Sequence, residues 1–224
     1  MRRHLMMERP AGLLIWYSAG RQAEDVRDRL MDLTGNGYDL MLYGVTVNGG
    51  GYVEFTRWRV YGCCLRPFRL GRFTIICRRG GFQDANGCAP SNAVVAKGRS
   101  EFVPGGVNPL HRDSYGGIRL ESGDGSARCC YVGGRGTAVA GAFAADGISV
   151  LTNERYYMYG AEDEAVALAG GGERDSRSYP LFVNPRRGDS SQFTLGFRLY
   201  DLLIFDRILS EEEVKEAVEM MINV

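Results

Sequence analysis

The sequence predicts an all-β protein: a sandwich or barrel of about a dozen antiparallel strands, ending in one short helix. Three observations carry this. Short runs rich in β-branched and aromatic residues recur along the whole chain, many with partial alternation, divided by Gly, Asn or Asp. Glycine is abundant at 31 of 224 residues, about twice the usual ~7%, and scattered without a collagen period. A helical signature occurs once, after the last strand-like run, at Ser210–Ile222.

The first strand is predicted at "GLLIWYSA", Gly12–Ala19. The opening "MRRHLMMERPAGLLIWYSAG" imitates a secretory leader. Its apolar run, Ala11–Tyr17, is short, follows Pro10 and holds Trp16 and Tyr17, which suits a strand better. Residues 1–10 are read as a flexible terminus, and secretion or surface display stays open. "YDLMLYGVTV" (Tyr38–Val47) and "GYVEFTRWRVYG" (Gly51–Gly62) follow, the latter as one strand. Within it Val53 and Phe55 share one face, Glu54, Thr56 and Trp58 the other. In "RFTIICR" (Arg72–Arg78), Phe73, Ile75 and Cys77 oppose Thr74, Ile76 and Arg78. Phe82–Leu110, rich in Gly, Pro, Asn and Ser, reads as long loops around one short strand, "NAVVAKG". "GGIRLES", "ARCCYVG", "GTAVAGAF", "GISVLT", "ERYYMYG", "EAVALAG" and "SYPLFV" continue the series. No break in composition divides residues 1–224 into two domains.

The last strand, within Gln192–Phe205, is apolar on both faces: Leu202 and Ile204 on one, Leu203 and Phe205 on the other. A strand of that kind is central and covered on both sides. Ser210 and Glu213 then spell a capping box. Glu211, Glu212 and Glu213 put negative charge at the positive end of the helix dipole. Val214, Ala217, Val218, Met221 and Ile222 form one apolar stripe, so the helix is expected to dock on a sheet.

Lys+Arg and Asp+Glu both number 27. This neutrality argues against a nucleic-acid or anionic-membrane footprint, and no run reaches the ~20 apolar residues of a membrane span. The six cysteines include the adjacent pairs Cys63–Cys64 and Cys129–Cys130. Neighbours on a strand point to opposite faces, so such pairs suit neither a shared disulfide nor one metal; the six read as buried or half-buried free thiols, with a disulfide framework, sparse for this length, as the alternative.

Two segments carry a family resemblance. In "DLTGNGYDL", Asp32, Thr34, Gly35, Asn36, Gly37, Asp39 and Leu40 match an Asp-x-[ST]-Gly-x-Gly-x-[DN]-Leu turn. In "IFDRILS", Ile204, Phe205, Asp206, Arg207, Leu209 and Ser210 match a strand-to-helix motif. Together they resemble the concanavalin A-like lectin/glucanase superfamily, in its laminin-G-like, pentraxin-like branch. The resemblance covers about fifty residues at the two ends. It implies a two-sheet antiparallel jelly-roll sandwich, with first and last strands adjacent and the helix covering an end or edge. Fold and function are separable, so it says little about activity.

Glucan-cleaving members of that superfamily carry E-x-D-x-x-E on one strand, which sets acid and nucleophile on one face. "EDE" at Glu162–Glu164 is consecutive, and Glu121 and Asp124 flank a turn, so neither fits. The chain has two histidines, His4 and His111, and neither can be given a nucleophile. The expectation is a non-enzyme. The "DLTGNGYD" turn offers Asp32, Asn36 and Asp39 as oxygen ligands for calcium. The alternative, preferred here, is that Asp32, Thr34 and Asn36 hydrogen-bond the turn itself while Gly35 and Gly37 supply positive φ. Exposed aromatics for sugar stacking are sought at Trp58 with Tyr61, and at Tyr157 with Tyr159, which share a face. The leading expectation is a lectin-like module binding a glycan. Its rival is a protein-interaction or structural domain of a surface or phage-like assembly.

Overall fold

The computed structural model describes residues 9–23, 26–55, 60–84, 93–97, 100–103, 106–109, 118–121, 128–132, 135–139, 146–168, 178–184 and 195–223. In chain order the strands are β1 (Leu13–Ser18), β2 (Arg29–Leu30), β3 (Leu40–Tyr43), β4 (Val47–Asn48), β5 (Tyr52–Phe55) and β6 (Tyr61–Phe68). Next come β7 (Thr74–Asp84), β8 (Ala93–Lys97), β9 (Ser100–Val103), β10 (Gly106–Pro109), β11 (Ile118–Glu121) and β12 (Arg128–Val132). The last are β13 (Arg135–Val139), β14 (Gly147–Thr152), β15 (Arg155–Met158), β16 (Val166–Ala167), β17 (Tyr179–Val183) and β18 (Leu195–Phe205), before helix α1 (Glu211–Ile222).

They form two antiparallel sheets. One has the order β16-β15-β14-β7-β18-β5-β4, with β1 also paired to β18; the other has the order β13-β12-β11-β8-β17-β6-β3-β2. Strands β9 and β10 form a separate hairpin. The two-sheet sandwich with a C-terminal helix is therefore as the sequence predicts. β18 is its spine. It pairs with β7 along one edge, and with β5 and then β1 along the other. Ile15 falls opposite Ile204, so the first and last strands are neighbours.

Alternation along each strand assigns the faces. Ile15, Tyr17, Val53, Phe55, Ile75, Cys77, Leu202 and Ile204 from the first sheet meet Leu30, Leu40, Cys64, Phe68, Leu181 and Val183 from the second in one buried core. Ile76, Val150, Tyr157, Leu203 and Phe205 point the other way, onto Val214, Ala217, Val218 and Met221 of α1. The helix thus lies on the outer face of the first sheet across several strands, which corrects the expectation of an end or edge. Ser210 caps it: Glu213 N–H donates to Ser210 Oγ (3.3 Å), and Ser210 N–H to Glu213 Oε2 (2.9 Å).

Two strand readings need correction. Gly51–Gly62 is not one strand: β5 belongs to the first sheet and β6 to the second. Alternation continues through a change of sheet, because side-chain period is local and partner choice is not. The stretch 82–110 holds more than one short strand, namely the end of β7 with β8, β9 and β10. Its Gly and Pro lower strand propensity, but hairpin pairing still satisfies the backbone. Cys63 and Cys64 are buried free thiols on opposite faces. Burial pushes the Cys63 thiol up to about 12, so it holds its proton at neutral pH.

Candidate functional site

α1 covers part of the outer face of the first sheet. Beyond its reach that face changes character, and the change follows from strand pairing. Arg198 lies opposite Glu54, and Leu199 opposite Val53. Val53, Phe197 and Leu199 are in the core, so Tyr52, Glu54, Arg198 and Tyr200 point outward. A register shift between Leu199 and Asp201 against β7 adds a residue to β18 and leaves Asp201 outward beside Tyr200.

The result is a layer of aromatic and charged groups in which Tyr52, Glu54, Arg78, Arg198 and Tyr200 are half-exposed and Asp201 is buried. The rings of Tyr52 and Tyr200 meet edge to face, with centroids 5.8 Å apart. The Arg198 guanidinium lies 4.7 Å from the Tyr52 centroid, and its Nε donates to Glu54 Oε1 at 2.8 Å. Arg78 lies 5.1 Å from the Tyr200 centroid, and its Nη1 donates to Asp201 Oδ2 at 3.3 Å. β7 supplies a low floor: a Cβ on Gly80 would come within 3.4 Å of the Tyr200 ring, and one on Gly81 within 3.2 Å of Arg198 Cδ. Pairing with Glu54, then the nearby Tyr52, raises the Arg198 pKa. Burial raises that of Asp201, opposed by Ser18, Arg78 and Arg21. Chemically the surface combines half-exposed tyrosine rings, phenolic hydroxyls, guanidinium donors and carboxylate acceptors. That set matches a sugar's apolar C–H patches and its hydroxyls.

Of the aromatics singled out in the sequence, Tyr61, Tyr157 and Tyr159 lie elsewhere. Trp58 lies outside the described residues, as do His4 and His111. Tyr61 is buried on the outer face of the second sheet, stacked on Tyr43 at 4.7 Å beside Cys63 and Phe182. Tyr157 and Tyr159 do share a face, and it is the one α1 packs on. Tyr157 is only 2% exposed, its ring 5.0 Å from the Arg155 guanidinium, which bonds Glu211 of the helix at 3.2 Å. Tyr61 and Tyr157 are on different sheets and do not form one surface. Sequence reading missed Tyr52, Arg78, Arg198 and Tyr200. The available signal was that each alternates with a core residue, but only the register brings Tyr52 to Tyr200.

The Asp32 turn is tied inward. Asp32 Oδ1 accepts from Trp16 N (3.2 Å), Thr34 N (3.1 Å) and Thr34 Oγ1 (2.7 Å), and Oδ2 from Tyr38 N (3.2 Å). Asp39 Oδ1 accepts from Asp32 N at 2.9 Å, and Asn36 Nδ2 donates to Leu14 O at 2.7 Å. Gly35 and Gly37 take φ of +75° and +76°, which glycine adopts without penalty. The turn thereby fastens β1 to the second sheet. Among the described residues no three His, Cys, Asp or Glu side chains group to hold a metal. Glu162–Glu164 form a 3-10 turn in which Glu162 accepts from Gly160 N at 2.9 Å.

No protein-family model and no curated protein matches the chain. Solved structures do. A Trypanosoma rangeli sialidase in complex with sialic acid superposes with a TM-score of 0.61 at 12% identity, over 95% of this chain and 34% of that one. Botulinum neurotoxin type C, whose cell entry depends on interaction with two ganglioside molecules, gives 0.59 at 8% identity, over 94% and 51%. The binding domain of Paraclostridial Mosquitocidal Protein 1 gives 0.62 at 15% identity, over 93% and 52%. The chain thus spans about a third to a half of these proteins, and the likeness is one of β-sandwich fold. No helix among the described residues is long and apolar enough to cross a membrane.

Proposed function

We propose that the chain is a non-catalytic, carbohydrate-binding, lectin-like module of the concanavalin A-like class, laminin-G-like branch. The observation that carries the reading is the Tyr52–Tyr200 pair between Arg78 and Arg198, on the part of the sheet that α1 leaves uncovered. Support also comes from neighbours of the same fold that meet sialic acid or gangliosides. The two end motifs support the family. The absence of an alternating E-x-D-x-x-E in the sequence supports a binding role over glucan hydrolysis.

A glycan array probed with the full chain, with and without calcium, tests this. Selective binding that is lost in Tyr52→Ala and Tyr200→Ala is expected. Binding that vanishes without calcium would give the Asp32 turn a metal role. No binding to any glycan, or binding indifferent to both substitutions, would remove the platform as the site. Turnover of any polysaccharide would overturn the non-catalytic reading.

A further inference from the structure

Strand order brings one more group to the tyrosine layer. Gly147 lies opposite Arg79 and Ile148 opposite Arg78, so Asp146, one position earlier, falls opposite Gly80. On the other side of β7, Gly80 pairs with Arg198. Arg79 is buried in the interior, bonded to Tyr156, and Arg78 reaches the outer layer, so Gly80 presents its Cα outward. A Cβ built there would stand 3.3 Å from Asp146 Cγ, 3.4 Å from its Oδ1 and 3.4 Å from Tyr200 Cε2. Carboxylate and ring thus flank one spot, and β7 raises no side chain between them. Asp146 is exposed. Among the described residues no hydrogen bond or ion pair engages its carboxylate.

The other carboxylates of the layer are committed. Arg198 Nε donates to Glu54 at 2.8 Å, and Arg78 Nη1 to Asp201 at 3.3 Å. Arg21, a further cation near Asp201, donates to Met220 O on the helix side and lies over the Trp16 ring. Arg21, Arg78 and Arg198 are therefore balanced by Glu54, Asp201 and Asp146, and among these groups no cation is left over for an anionic ligand. A carboxylate accepts hydrogen bonds through two oxygens and donates none, which matches two hydroxyls on adjacent carbons. An aromatic ring takes the apolar C–H groups of the same ligand. The geometry points to an uncharged sugar as the ligand of this surface, with two neighbouring hydroxyls on Asp146 and its C–H patch against Tyr200. A sugar ending in a carboxylate or sulfate meets Asp146 as a like charge and is repelled. This rests on the tyrosine layer being the sugar surface, and adds Asp146 as the residue that sets which sugars it accepts.

The test is an array of uncharged oligosaccharides, lactose and cellobiose among them, each beside the same glycan carrying sialic acid or sulfate. The full chain should bind uncharged members and hold their charged counterparts roughly tenfold or more weakly. Calorimetry on the tightest uncharged binder should show Asp146→Ala lowering affinity roughly tenfold or more, as expected for hydrogen bonds to a charged acceptor. Asp146 is exposed, so the variant's melting curve should match that of the parent. Asp146→Lys should turn the preference towards the charged members, which a merely structural residue would not do. Affinity that is lost in Tyr200→Ala but unchanged in Asp146→Ala would overturn the role of Asp146 and leave the tyrosine layer as the site. Charged glycans that bind the parent as tightly as their uncharged counterparts would overturn the uncharged class. Binding to neither set would overturn both this inference and the reading it rests on.

Discussion

Ile15 lies directly opposite Ile204, and neither has any exposed surface. The contact joins the two ends of the chain inside the core, some of the longest loop closure the fold requires. Truncating either residue leaves a cavity between strands held on both faces, so relaxation is limited. Ile15→Ala and Ile204→Ala should each cost about 2–5 kcal/mol. The double variant should depart measurably from additivity, because the two side chains share one site. Urea unfolding with a common m-value checks this; a cost below ~1 kcal/mol for both would place the pair outside the core.

The helix cap makes a pH-dependent prediction. The Arg207 guanidinium, then the Ser210 N–H, hold Glu213 at about 2, well below the usual 4.5. A depressed carboxyl stabilises the fold above its unfolded pKa and ceases to do so as pH falls through the folded value. The contribution should therefore be complete above about pH 5 and fade towards pH 2. Glu213 is 39% exposed, so its size should stay under ~1 kcal/mol. Glu213→Gln should flatten that part of the pH–stability curve, and Ser210→Ala should cost about 1 kcal/mol at all pH values.

The cap and helix stripe were legible because both are local: a few residues at fixed spacing specify them. The double-sided apolar pattern at Leu202–Phe205 was legible for the same reason, and it identified the central strand. The change of sheet between Phe55 and Tyr61 was not, since alternation reads alike in either sheet. The register shift beside Asp201 was equally silent. Tyr157 shows the limit for sites. Its pattern is that of an outward aromatic, and only the docked helix reveals that the outward face is buried. Tyr52 and Tyr200 lie far apart in sequence and become neighbours through pairing alone.

The Asp32 turn separates a structural carboxylate from a metal ligand. Its oxygens accept four protein donors, one of them from β1. Asp32→Ala removes them all and strands the Trp16 and Tyr38 N–H groups, so a loss of about 2–4 kcal/mol is expected. Melting the parent in EDTA and in excess calcium should give one midpoint. A calcium-dependent rise that disappears in Asp32→Ala would show instead that the turn binds the ion.

Asp201 should behave in the opposite sense to Glu213. Burial raises its pKa despite Ser18, Arg78 and Arg21. A raised carboxyl binds its proton more tightly when folded, so stability from this group falls as pH rises through the unfolded and then the folded pKa. Asp201→Asn keeps the shape and removes the buried charge. It should leave neutral-pH stability within ~1 kcal/mol of the parent or improve it, as for other buried ionic groups replaced by neutral ones. Chemical denaturation at acid and neutral pH would show the parent, but not the variant, losing this increment on neutralisation.

The platform itself yields the sharpest division between stability and binding. Tyr200 packs edge-on against Tyr52 on a half-exposed face, so Tyr200→Ala removes little core area and should change stability by no more than ~1 kcal/mol. It also removes an aromatic ring and a hydroxyl from the surface proposed to meet the sugar, and affinity for any array-positive glycan should fall roughly tenfold or more. Tyr200→Phe isolates the hydroxyl and should fall between the two. Arg198→Lys should lose affinity too, because an ammonium cannot both lie over Tyr52 and reach Glu54 as the planar guanidinium does. Tyr157→Ala gives the contrast. That ring is buried beneath α1, so its removal should destabilise the fold by about 2–4 kcal/mol and leave the affinity of the still-folded fraction unchanged. Titration calorimetry paired with melting curves distinguishes these patterns; the reverse assignment, with Tyr157 governing affinity and Tyr200 governing stability, would move the site to the helix side of the sheet.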